Sequence, residues 1–72
     1  MLYTYQSVYP NLEHWVNKRL DGNWMELSRR AGIDYGALHR IATGSRNPRK
    51  DSIDKILKAT GLTYEEAFYE PN

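Results

Sequence analysis

Trp24-Met-Glu-Leu-Ser-Arg-Arg-Ala-Gly-Ile-Asp-Tyr-Gly-Ala-Leu-His-Arg-Ile-Ala42 is the stretch that decides the fold of this chain. It reads as two short amphipathic helices hinged at Gly32. Leu27 and Ala31 are four apart and share one face of the first helix, with small Ser28 beside them. Leu38 and Ile41 are three apart on the second helix, and Asp34 stands where an N-cap is needed. Gly32 supplies, at low steric cost, the left-handed backbone that a sharp corner between helices requires. Ser28 at the crossing lets the two helices approach closely.

Two helices joined by a glycine turn of about 3–4 residues form a helix-turn-helix, a unit that commonly offers its second helix to a DNA groove. The rest of the chain supports an all-α fold. Leu12, Trp15, Val16 and Leu20 recur at helical spacing, predicting a helix over 10–20 with Pro10 in its first turn and Asp21-Gly22 as its stop. The central pair spans 24–31 and 35–43. Thr43-Gly-Ser-Arg-Asn-Pro48 has the chemistry of an ordered turn. Ile53, Ile56 and Leu57, with Thr60, give a fourth helix over 50–60 stopped by Gly61. Thr63-Tyr-Glu-Glu66 has the form of a capping box and opens a fifth over 63–69, carrying Ala67 and Phe68. The expected core is Leu12, Trp15, Val16, Leu20, Leu27, Ala31, Ile33, Leu38, Ile41, Ile53, Ile56, Leu57, Leu62 and Phe68. No repeat or second domain interrupts the pattern. The organisation is an aromatic extension over 1–9 followed by a helical domain over 10–70.

The extension is too apolar for a free tail: Leu2, Tyr3, Tyr5, Val8 and Tyr9 fit a strand or a helix equally. One account folds it back over the first helix, with Tyr9 as a staple. The other makes it a sticky arm for a subunit or partner, because tyrosines offer large contact area at low entropic cost.

Charge points to one surface. The formal net charge is only +1, but residues 1–34 sum to zero and residues 51–72 to −3. Residues 35–50 carry Arg40, Arg46, Arg49 and Lys50 with no acid, a net +4. The positive excess thus sits on the second helix of the central pair and the loop after it, as on a phosphate-facing surface.

Other chemistry is not expected. A chain of 72 residues without cysteine has neither a disulfide framework nor a thiolate metal site. His14 and His39 fall on different helices and show no metal-ligand spacing. Ser28 belongs in a helix crossing, where it is a poor nucleophile. Glu65 and Glu66 complement a helix dipole in a capped first turn. No glycine-rich phosphate loop follows a strand. No catalytic residue, cofactor, metal or small-molecule substrate is therefore expected. No membrane span or secretory leader is read in the sequence, so the expected setting is the cytoplasm.

Leu27-Ser-Arg-Arg-Ala-Gly-Ile-Asp34, Leu38-His-Arg-Ile-Ala-Thr-Gly-Ser-Arg-Asn-Pro48 and Ile53…Ile56-Leu57…Gly61-Leu62-Thr63 together resemble the lambda-repressor-like, Cro-type (Xre) helix-turn-helix family, from about residue 11 to Phe68. The resemblance implies a five-helix DNA-binding domain, often a homodimer on a two-fold operator in double-stranded DNA, as in phage repressors and antitoxins. It implies base-edge contacts from Tyr35, Gly36 and Arg40, with Ala37 and His39 nearby. It also implies backbone contacts from Asn23, Trp24, Thr43, Arg46, Arg49 and Lys50. The guanidinium of Arg40 suits guanine O6 and N7 in a bidentate grip.

Three positions depart from the family pattern. Trp24 stands where glutamine is usual, and Tyr35 and Gly36 where polar side chains are usual. An aromatic reading face also suits protein contact, because Trp, Tyr and Arg dominate protein hot spots. Two functions follow. The first is a small sequence-specific transcriptional regulator in a phage or prophage switch. The second is an antirepressor that captures a partner repressor protein, or an antitoxin that binds its toxin, with Trp24, Tyr35 and Arg40 as anchors. In the first reading Trp24 simply packs against the recognition helix.

Overall fold

The computed structural model describes residues 7–71. Among them the chain is all-helical, with α1 (Pro10–Leu20), α2 (Trp24–Ala31), α3 (Tyr35–Ala42), α4 (Lys50–Thr60) and α5 (Tyr64–Ala67). None of these helices is long and apolar enough to cross a membrane.

Local chemistry sets the helix ends where the spacing predicts them. Pro10 opens α1, and Asp21 and Gly22 both take left-handed backbone at its end, with the Gly22 amide donating to the Val16 carbonyl at 3.1 Å. Asn23 Oδ1 accepts the Glu26 amide at 3.1 Å and caps α2. Asp34 Oδ2 accepts the Ala37 amide at 3.2 Å and caps α3. Gly32, at φ +71°, turns the chain between them. Thr63 and Glu66 form the reciprocal capping box. Phe68 leaves helical geometry at φ −109°, so α5 is shorter than its sequence pattern.

α2 is the central element and packs against α1, α3 and α4, while α5 closes the far side against α1 and α4. Leu12, Val16, Leu27, Leu38 and Ile56 are fully buried, each contributing about 1.5–3 kcal/mol of transfer free energy. Ser28 is buried at the crossing, its hydroxyl turned back to the Met25 carbonyl at 2.6 Å. Trp15, Ile33, Ile53, Leu57 and Leu62, expected in the core, are only half-buried and pack along its edge. A domain this small has more rim than interior.

Two aromatic residues outside the expected core list belong to the core. Trp24 is 3% exposed and its indole nitrogen is buried, which agrees with the reading that it packs within the fold and leaves little of it for a phosphate or a partner surface. The first turn of α2 points it inward, so it serves the core. Tyr9 joins the same core, with its ring edge-on to Phe68 at 5.1 Å. Burial, reinforced by Glu70 and Tyr64, pushes its phenol pKa up. Ser7 and Tyr9, on the extension side of the boundary drawn after residue 9, are thus packed with the helical domain. The strand, helix and arm readings of Leu2, Tyr3 and Tyr5 fall outside the described residues.

Candidate nucleic-acid interface

α3 turns Leu38, Ile41 and Ala42 into the core and leaves Tyr35 and Arg40 exposed, with Gly36, Ala37 and His39 half-buried between them. The residues expected to read bases thus share one accessible stretch of helix. The rings of Tyr35 and His39, one turn apart, lie 6.0 Å from each other at 47°.

Gly36 gives this surface its shape. A Cβ there would stand 3.0 Å from Asp34 Oδ2 and 3.8 and 3.9 Å from the two terminal nitrogens of Arg40. The Arg40 side chain therefore lies back along α3 toward its N-terminus, the direction helical side chains favour. The missing side chain leaves room for the capping carboxylate, while the guanidinium lies at ordinary contact distance. Glycine carries a cost of about 0.8–1 kcal/mol in a helix relative to alanine.

The loop after α3 closes tightly over the helix end. The Thr43 amide and hydroxyl both donate to the His39 carbonyl, at 3.0 and 2.8 Å. The Ser45 and Arg46 amides share the Arg40 carbonyl, at 2.9 and 3.2 Å, and the Gly44 amide donates to Ile41. Thr43 and Asn23, both expected at phosphates, thus also use their side chains as helix caps.

Ion pairing sorts the cations. Arg29 and Arg30 on α2 both bind the Glu26 carboxylate. Their hydrogen bonds pull its pKa down to about 2. Lys50 pairs with Asp54 at 3.6 Å and Lys55 with Asp51 at 3.7 Å, both exposed. Among the described residues Arg40, Arg46 and Arg49 have no such carboxylate. All three are exposed. Among the described residues Lys18 and Arg19 on α1 and Lys58 on α4 are likewise exposed and without such a carboxylate, so three of the six unpaired cations lie on α3 and its following loop, while two arginines of α2 share one carboxylate within their own helix.

Glu26 also sets an acid response. Its folded pKa lies below the ordinary carboxylate value of 4.5, so the stability it contributes is fully present above that value. That contribution fades as pH falls from about 4.5 to about 2. The difference in Tm between wild type and Glu26→Gln should shrink across this window. The difference should also shrink in high salt, because the cluster is solvent-screened. A gap in Tm that stays constant between pH 6 and pH 2 would show that the cluster contributes nothing.

Comparison of the chain with protein-family models, with curated proteins and with solved structures finds no match. The helix-turn-helix resemblance rests on its own residues.

Sequence reasoning missed Ser7, and it placed Val8 in an apolar extension without finding its contact with the end of α3. The Val8 amide donates to the Ala42 carbonyl at 2.9 Å and the Ser7 hydroxyl to the same oxygen at 2.8 Å. The segment before α1 thus meets the end of α3, 35 residues away in sequence. Helical periodicity carries no signal for such a contact. Among the described residues, no cluster of three His, Asp or Glu side chains offers a metal site.

Proposed function

We propose that this chain is a small sequence-specific DNA-binding regulator of the Cro or repressor type, working in a phage or prophage switch. α2 and α3 act as a helix-turn-helix, with α3 entering the major groove. Arg40 reads a guanine edge, Tyr35, Gly36 and His39 lie along neighbouring bases, and Arg46, Arg49 and Lys50 hold phosphates on either side. Thr43, Asn23 and the loop amides add backbone contacts. As a homodimer the protein would set two such helices about 34 Å apart on a two-fold operator.

The observation that carries this reading is the set of three exposed arginines without carboxylate partners on α3 and its loop. The deciding measurement is a titration of the purified protein against its own promoter fragments at about 150 mM salt, where non-specific binding is weak. Binding to one fragment at least about 1000-fold tighter than to scrambled duplex is expected. Equal, weak binding to all duplexes would overturn it.

The rival reading, capture of a partner repressor or toxin, retains Tyr35 and Arg40 as anchors and loses Trp24 to the core. It predicts that near-stoichiometric amounts of this protein strip a neighbouring repressor from DNA while binding that DNA only non-specifically.

A further inference from the structure

We propose that Ser7 and Val8 are positioning residues for the DNA-facing surface, clamping the end of α3 and the loop after it; this rests on the DNA-binding reading. The last four carbonyls of a helix have no partners within it. In α3, those of His39, Arg40 and Ile41 are satisfied by amides of the loop itself. The fourth, Ala42, takes both of its donors from Ser7 and Val8. Among the described residues these are the hydrogen bonds that tie this helix end to a distant part of the chain.

The clamp is itself anchored. Ser7 Oγ accepts the Tyr9 amide at 3.0 Å while donating to Ala42, and the Ser7 amide donates to Glu13 Oε1 on α1 at 3.1 Å. Tyr9 then enters the core. Val8 reaches the loop directly: a Cβ on Gly44 would stand 3.0 Å from Val8 Cγ1. Gly44 has φ +86°, so its backbone conformation and its lack of a side chain are both used. The loop that carries Arg46 is thus held by local caps on one side and by Val8 on the other. Loops tied only by local bonds open at low free-energy cost. Fixing this one before binding reduces the ordering cost of gripping phosphates.

The test compares the full-length chain with the Ser7→Ala/Val8→Ala double variant and with Val8→Ile, which keeps a branched side chain against Gly44. Hydrogen exchange is read at the Gly44, Ser45 and Arg46 amides, with Ile56 and Leu57 of α4 reporting global opening. Affinity for the promoter fragment is measured in parallel. In the double variant the loop amides should exchange about tenfold faster than any change at α4 explains. Promoter affinity should fall about tenfold, while the ratio between matched and mismatched sites is retained. Val8→Ile should behave as wild type. Loop exchange that is unchanged, or that rises only in step with α4, overturns the proposal. So does faster loop exchange with unaltered promoter affinity. Wild-type protein that fails to prefer any duplex overturns the DNA reading, and the exchange comparison then judges the clamp by itself.

Discussion

Leu38→Ala should bring this domain close to unfolding at ambient temperature. Leu38 is fully exposed to the core and not to water, on the one helix whose other face is given over to the candidate interface. Truncation removes buried methyl groups and leaves a cavity, at a cost of about 2–5 kcal/mol. Domains of ordinary size have only about 5–15 kcal/mol in total, and a chain of 72 residues lies toward the lower end. Tm should fall by roughly 10 °C or more. α2 packs against α3 and contacts two further helices, and Leu38 belongs to the shared core, so collapse around the void would disturb most of the core instead of one edge. A thermal melt within a few degrees of wild type would show that α3 is not seated as described.

Arg40→Ala and Arg46→Ala should fail in different ways, and the difference is the sharpest check on how α3 faces its target. Arg40 lies over Gly36 on the exposed face of α3. Its removal should erase discrimination at one base pair, about 1–3 kcal/mol or roughly 10–100-fold. Arg46 lies in the loop, with its backbone fixed to the Arg40 carbonyl. Its removal should weaken binding to all sequences alike and lower the salt slope by about one phosphate. Titrations on matched and single-mismatch duplexes at several salt concentrations separate the two. Identical behaviour of the variants on matched and mismatched sites would reject the assigned roles.

Much of the fold was legible because its signals are local. The apolar spacing in 24–42, the Asp34 and Thr63 caps and the Gly32 turn each act within one or two helical turns, and each operates as its residues predict. The charge asymmetry was legible too, since a run of four cations without an acid needs no structure to be seen. Which cations are committed to neighbours was not, because it depends on the rotamers that bring Arg29 and Arg30 onto one carboxylate.

By itself the sequence determined the five helices found among the described residues, their order, the Asp34 and Thr63 caps and the location of the excess positive charge, because these follow from spacings of three or four residues. Tertiary structure alone decided the fate of Trp24 and the role of the segment before α1. An aromatic residue in a first turn points inward or outward according to where neighbouring helices lie, and here α2 is surrounded. The bonds from Ser7 and Val8 to Ala42 join parts of the chain that share no periodicity. A helix end must find partners for its carbonyls, but only the folded chain can specify which distant donors supply them.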